Sequence, residues 1–287
     1  KGKDYIEVNV DGSQSSIADS DAKFDLFING NDDDDVININ EHHGNLTVNG
    51  NAGADTIDVK NYKKNTEING GEGIDWIDLE FVNNATANGD NGDDTILLRQ
   101  NRGIVNLNGN AGYDAIDIGT FSGDNIDAAL DKPIADYGNA DDSRLTRIIA
   151  KGASVLKGSA SRITSHANIF DEDNPNMGTL NRITNTVNVD GGADALTDTL
   201  TINDSAETAL NTGWLTSNSL TGLGMTDGKA FTPDIDVTDN DGKINYSQIN
   251  LVDLYLGQNN DRLFVTSTHT NNTRITANKG DDAVIAT

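Results

Sequence analysis

The chain has no cysteine, which excludes disulfides, thiolate-ligated metals and thiol nucleophiles. Proline is scarce at 3 residues, and aromatic side chains make up only 5%. Basic residues are outnumbered: 20 Lys and Arg stand against 46 Asp and Glu, a formal net charge of −26. Such a chain has no basic surface for a phosphate backbone, so nucleic acid is excluded as a partner class. An anionic membrane surface would repel it. No run of about 18 apolar residues occurs, so membrane insertion through a helix is not expected. Apolar residues amount to 35%, thin for a conventional core. Low hydrophobicity with high charge is shared by disordered chains and by folds whose charge is neutralised by bound cations. Order along the chain separates the two.

That order is present. Five segments align in phase: NGNDDDDVINI from Asn29, NGNAGADTIDV from Asn49, NGGEGIDWIDL from Asn69, NGDNGDDTILL from Asn88 and NGNAGYDAIDI from Asn108. Their leading glycines are Gly30, Gly50, Gly70, Gly89 and Gly109. Their trailing aspartates are Asp35, Asp55, Asp75, Asp94 and Asp114, and both series step by 20, 20, 19 and 20. A disordered chain has no reason to hold such a phase. Each unit also carries two apolar pairs at a spacing of two, the period of a strand with one buried face. One pair follows the aspartate, as in Ile57/Val59. The other precedes the glycine, as in Leu46/Val48.

Two short strands and a Gly/Asp turn per unit describe one coil of a parallel β-solenoid, because a coil buries its apolar face only against its neighbours. The expected fold is all-β: a right-handed parallel β-solenoid, β-roll or β-helix-like, with an irregular central insertion and a second β-rich repeat section. An antiparallel sandwich is the competing reading, and it seldom keeps loop length and Gly/Asp register together.

Stacking coils at about 4.8 Å stacks the aspartates as well. Unit charges at that separation repel by roughly 0.9 kcal/mol in water and roughly 3.5 kcal/mol at an effective dielectric of 20. Further carboxylates lie nearby, including Asp33, Asp93, Asp90 and Glu72, and no Lys or Arg falls inside the five turns. The column needs protons or cations. An Asn/Asp ladder can hydrogen-bond without metal, but five turns in phase with no compensating base favour calcium. Calcium takes six to eight oxygen ligands from carboxylates and carbonyls, whereas zinc and copper prefer nitrogen or sulfur. The candidate calcium ligands are the five aspartates with Asp33 and Asp93. Gly50, Gly53, Gly70, Gly73, Gly89, Gly92, Gly109 and Gly112 are expected to allow positive φ and to turn carbonyls inward. Asp33 takes the place of the second glycine in the first unit.

These segments resemble the calcium-binding repeat of hemolysin-type, or repeats-in-toxin, proteins, whose nine-residue consensus is G-G-x-G-x-D-x-U-x. Gly70, Gly71, Gly73, Asp75 and Ile77 match it fully. Gly50, Gly53, Asp55 and Ile57 match with Asn51 at the second glycine. The departure is the period, 20 residues instead of nine. It predicts the motif on one edge of the coil and variable loops on the other. The resemblance covers residues 24–120 and implies a secreted bacterial protein, extracellular or on the cell surface, that folds on meeting calcium.

Outside that tract, residues 1–23 read as a degenerate N-terminal coil and 121–180 as an irregular insertion. The insertion holds a short helix over 125–132, a basic strip from Arg144 to Arg162 and an acidic turn at 170–178. Residues 181–287 read as a second β-rich repeat section, similar to segments of very large bacterial surface proteins. There Asp194, Asp198, Asp261 and Asp282 are further candidate ligands. Residues 236–248 mimic an EF-hand loop, but Val237 and Gln248 stand where carboxylates are needed, so a tight turn is expected. The chain starts at Lys1 without a signal peptide and stops at Thr287 inside a repeat, which suggests a piece of a longer protein or a subunit whose end pairs with another.

No catalytic constellation is found, and a non-enzyme is expected. Asp58, Asp78 and Asp117 read as an outward column without matching Arg or Lys, and Trp76 as an outward ring able to stack on a sugar. The expected function is a calcium-stabilised structural or adhesive segment, able to form filaments or matrix. The alternatives are a calcium-dependent secretion module of a secreted enzyme and a carbohydrate-active solenoid. The expected partners are neighbouring copies or other segments of the same chain, met end to end, and surface glycans.

Overall fold

The computed structural model describes residues 5–9, 25–41, 44–60, 64–119, 178–194, 197–225 and 242–287. The helix expected over 125–132, the basic strip and most of the acidic turn at 170–178 lie outside the described residues. So do His42, His43 and residues 236–241 of the EF-hand-like stretch. Among the described residues there is no helix, and the regular structure is strand throughout.

Eleven strands span the first tract: β1 (Tyr5–Asn9), β2 (Leu26–Asp32), β3 (Val36–Glu41), β4 (Leu46–Ala52), β5 (Thr56–Lys60), β6 (Asn65–Glu72), β7 (Trp76–Glu80), β8 (Asn84–Asn91), β9 (Thr95–Leu98), β10 (Val105–Ala111) and β11 (Ala115–Ile118). Nine more follow: β12 (Thr186–Asp190), β13 (Thr199–Asn203), β14 (Thr212–Leu215), β15 (Ser219–Gly222), β16 (Lys243–Ser247), β17 (Leu251–Tyr255), β18 (Arg262–Val265), β19 (Asn272–Thr276) and β20 (Ala283–Ala286). They form two sheets. The nine-stranded sheet runs β1-β3-β5-β7-β9-β11-β13-β17-β19, and the eleven-stranded sheet runs β2-β4-β6-β8-β10-β12-β16-β15-β14-β18-β20. The chain thus alternates between sheets, and pairing is parallel except where β15 joins β14 and β16. This architecture is consistent with a β-solenoid.

The register follows the repeat. Ile37, Ile57, Ile77 and Ile96 are successive cross-strand partners in the nine-stranded sheet. Leu46, Thr66, Ala85 and Val105 align in the eleven-stranded sheet. All eight are buried, and the isoleucines are fully enclosed. Burying such a side chain is worth about 1.5–3 kcal/mol, so the stacked columns are the main source of cohesion. The sequence break at 121–180 does not interrupt the stack, since β10 pairs directly with β12 and β11 with β13.

The second section departs from simple stacking. The β14–β15 hairpin stands between β16 and β18. The eleven-stranded sheet therefore gains two strands that the other sheet lacks at that level. Residues 243–247 of the EF-hand-like stretch are strand β16.

The two sheets differ on their outer faces. In β4 and β10 buried and half-buried residues alternate, as expected of a sheet wet on one side. In β5, β9 and β11 every residue is buried. The column expected to point into solvent is therefore enclosed: Asp58, Asp78 and Asp117 are each at most 2% exposed. Arg99 forks onto Asp78, with Nε–Oδ1 at 3.1 Å and Nη2–Oδ2 at 2.5 Å, and Lys60 lies 3.4 Å from Asp58. Basic partners do exist, supplied by the strand ends and not by the column itself. Trp76 is likewise buried at 6% exposure, which removes it as an outward sugar platform.

Candidate metal centre

At the edge where the chain passes from the eleven- to the nine-stranded sheet, the aspartates form a continuous buried ladder. The Asp35 N–H donates to Asp55 Oδ1 at 2.7 Å, Asp55 to Asp75 at 2.8 Å, Asp75 to Asp94 at 2.8 Å and Asp94 to Asp114 at 3.0 Å. The ladder continues across the insertion, where the Asp114 N–H donates to Asp198 Oδ1 at 3.0 Å. It ends on Asn250, whose Oδ1 accepts the Asp198 N–H at 2.9 Å. The seven-residue interval from Gly191 to Asp198 keeps the aspartate in register all the same.

The other carboxylate oxygens are less well served. Oδ2 of Asp55, Asp75, Asp94 and Asp114 is buried and takes no hydrogen bond. Each points at the preceding strand-end glycine. A Cβ on Gly70 would stand 2.4 Å from Asp75 Oδ2 and 2.7 Å from the Gly89 carbonyl oxygen. Equivalent atoms surround Gly50, Gly89 and Gly109. On every rung a carboxylate oxygen and a carbonyl from the next coil thus close in on the glycine, too near for any side chain to stand there.

The rest of the turn is set by backbone conformation. Asn31, Asn51, Asp90 and Asn110 have φ between 73 and 82°, with Gly71 and Gly192 at the same register. Asn and Asp are the non-glycine residues that best tolerate this region. Gly53, Gly73, Gly92 and Gly112 hold φ between 135 and 152°, and Asp33, in the glycine's place, sits at 80°. Gly50, Gly70, Gly89 and Gly109, expected to share positive φ, do not, because they lie within β4, β6, β8 and β10. Asp33 is exposed. Asp93 Oδ1 accepts the Tyr113 N–H at 3.0 Å, and Asp194 Oδ2 accepts the Gly112 N–H at 2.8 Å, so both brace neighbouring turns.

Asp261 and Asp282 stand elsewhere. They precede β18 and β20 and so lie at the opposite edge, where the chain returns to the eleven-stranded sheet. There the Asn211 N–H donates to Asp261 Oδ1 at 2.8 Å and the Asp261 N–H to Asp282 Oδ1 at 2.7 Å. The ladder motif changes edge within the chain, contrary to the expectation of one loaded edge and one variable edge. Buried Asp204 accompanies this second ladder, with Oδ1 accepting the Leu180 N–H at 2.9 Å.

Burial dominates the electrostatics. It pushes the Asp55 carboxyl up to about 6, Asp75 to about 7, Asp94 to about 8, Asp114 to about 7 and Asp198 to about 6. The backbone hydrogen bond pulls each down, and neighbouring carboxylates push it further up. Without a counter-charge Asp94 would be mostly neutral near pH 7 and Asp75 and Asp114 about half so, while Asp55 and Asp198 would be mostly ionised.

The residues suit a hard, oxygen-loving cation: the side-chain donors of the ladder are carboxylate oxygens, with backbone carbonyls beside them. Among the described residues no three His, Cys, Asp or Glu side chains converge on one metal-sized space. A cation on the ladder would therefore take carbonyls together with one or two carboxylates. On the outer side Asn29, Asn49, Asn69, Asn88 and Asn108 form a parallel amide ladder with links of 2.7–2.9 Å. Sequence reasoning did not single out this row, although the five in-phase Asn-Gly pairs were visible. Asn250 was also missed, because an amide stands in the aspartate's register. Comparison with models of known protein families, with curated proteins and with solved structures finds no match.

Proposed function

We propose that this chain is a calcium-stabilised parallel β-solenoid serving as a structural or adhesive segment of a large extracellular or cell-surface protein. The observation that carries the reading is the file of buried Oδ2 atoms on Asp55, Asp75, Asp94 and Asp114, without hydrogen bonds and each packed beside a glycine of its own turn. Proteins seldom leave buried carboxylate oxygens unsatisfied, and a divalent ion between rungs satisfies them while cancelling their repulsion. Such ions turn the costliest part of the fold into an attractive one. Binding and folding are then linked, since an unfolded chain holds no preformed ligand set.

We assign the chain no catalysis. The acids that a carbohydrate-active solenoid would need, Asp58 and Asp78, are enclosed and paired with Lys60 and Arg99. Contacts with neighbouring copies or further segments of the same chain would be made end to end, through the outermost strands of the stack.

The test is circular dichroism of the purified chain in EGTA, followed by calcium addition, with elemental analysis of the folded material. The expected result is a reduced strand signal in EGTA, as the destabilised metal-free chain partly unfolds, with recovery on adding calcium and several bound calcium ions per chain. An unchanged strand signal in EGTA together with no bound alkaline-earth metal would overturn the reading.

A further inference from the structure

At the edge opposite the aspartate ladder, three residues stand out in a chain of net charge −26. Phe81 follows β7 with φ of 57°, a region that a bulky side chain enters only under constraint. The guanidinium of Arg102 lies over its ring at 5.3 Å from the centroid, and that of Arg182 at 5.7 Å. The two arginines come from different coils, brought together because Val82 bridges Asn101 and Asn101 bridges Ile183. Arg182 Nη1 also donates to Gln100 Oε1 at 3.4 Å, which steadies its reach. Both arginines are exposed. Among the described residues neither has a carboxylate within ion-pair distance, whereas Arg99, one coil position away, is spent on Asp78 and Glu80.

Two guanidiniums over one aromatic ring, without a carboxylate partner among the described residues, offer an oxyanion receptor. Contact with the ring restricts each guanidinium, and its planar fork of N–H donors matches a carboxylate. The negative field of the whole molecule opposes a polyanion, which excludes a phosphate backbone and favours a ligand of low charge. Beside the pair, Asn185 Nδ2 donates to the Arg102 carbonyl at 3.5 Å, Asn84 Oδ1 accepts the N–H of Ile104 at 3.1 Å, and Ile104 itself is exposed. Each amide keeps one N–H and one lone pair beyond these bonds, and with the exposed isoleucine these suit sugar hydroxyls and ring carbons.

We propose that Arg102 and Arg182, held on Phe81, bind the carboxylate of a uronic sugar. The site uses no metal ligand and stands apart from the reading of the aspartate ladder.

The experiment is an NMR titration of the full chain in calcium buffer, following the arginine Nε–Hε signals. Methyl glucuronide is the probe, and methyl glucoside its uncharged twin. Saturable shifts of the Arg102 and Arg182 signals with the glucuronide, and none with the glucoside, are expected. A hydrogen bond to a charged group is worth roughly tenfold or more in affinity, so R102Q and R182Q should each weaken binding about tenfold and the double variant abolish it. Phe81→Leu, which keeps an apolar side chain but removes the ring, should weaken binding while both arginines remain. Arg262→Gln, at another exposed arginine, should change nothing. Retained strand signal in each variant separates loss of the site from loss of the fold. Equal response to the glucoside, no response of either arginine signal, or stronger binding of an acidic peptide than of the glucuronide would overturn the proposal.

Discussion

The backbone N–H of Asp55 donates to Oδ1 of Asp75 at 2.8 Å, while Oδ2 of the same carboxylate, equally buried, takes no hydrogen bond. One oxygen is needed by the fold and the other is left for a proton or a cation. An amide separates the two roles, as Asn250 does at the end of the ladder.

Asp75→Asn keeps the accepting oxygen and removes the charge. In calcium it should lower the number of bound ions and destabilise the chain by about 1–3 kcal/mol, the range for losing one partner of a buried polar interaction. In EGTA near pH 8 it should instead be more stable than the parent, because its amide has no proton to lose. Urea unfolding of both proteins under both conditions checks the crossover. The same sign of change in both conditions would mean that Asp75 is a plain hydrogen-bonding rung.

The pH response should also reverse with metal. Folding without metal raises Asp75 from 3.8 to about 7 and Asp94 to about 8, so the folded state binds more protons than the unfolded one. The stability this gives is fully present below about pH 4 and is lost as pH rises through 6 to 8. The metal-free chain should therefore melt at a higher temperature near pH 5 than near pH 8. In calcium the order should invert, because the ion competes with protons for the same oxygens. Thermal melts followed by circular dichroism at both pH values, with and without calcium, read this directly.

Much of the architecture was legible because a fixed period translates into register without further information. Ile37, Ile57 and Ile77 are 20 residues apart and are cross-strand partners. What was not legible depends on neighbours that a period does not encode. Asp261 precedes a strand just as Asp55 does, so the motif reads alike, and only the sheet that the next strand joins reveals the change of edge. Strand β15 has the same two-residue alternation in a parallel or an antiparallel pair, so the inserted hairpin left no mark in the pattern. Alternation also presents Asp58 and Asp78 as solvent-facing. Their burial beside Lys60 and Arg99 could not be read from it.

The Arg99–Asp78 pair gives a prediction that does not involve metal. Both side chains are at most 2% exposed and joined by two contacts. Arg99→Met leaves a buried carboxylate without its partner and should cost about 3–5 kcal/mol. Asp78 is the cross-strand partner of Leu97, so a leucine at position 78 matches its neighbour in the column. The double variant R99M/D78L should recover most of the loss, since apolar residues of similar volume often replace a buried ion pair without penalty. A double-mutant cycle in urea measures the coupling, and additive losses would show that the pair is structurally independent.

The closeness of the stacked turns is tested by two glycines of one coil. Gly73 has φ of 135°, and a Cβ there would lie 1.7 Å from the Gly53 carbonyl oxygen. Backbone cannot retreat from that contact without parting two coils, so Gly73→Ala should cost about 3 kcal/mol or more. Gly70 has no such φ, and its added Cβ would instead press on Asp75 Oδ2 at 2.4 Å and the Gly89 carbonyl at 2.7 Å. Gly70→Ala should therefore also destabilise, and in addition should lower the calcium count, because its methyl pushes those oxygens out of place. Urea midpoints in calcium and elemental analysis distinguish the two. Both variants lose stability, but only Gly70→Ala loses ions from the rung that remains folded. If Gly73→Ala left the midpoint unchanged, the turns would have to stack more loosely than their carbonyl contacts indicate.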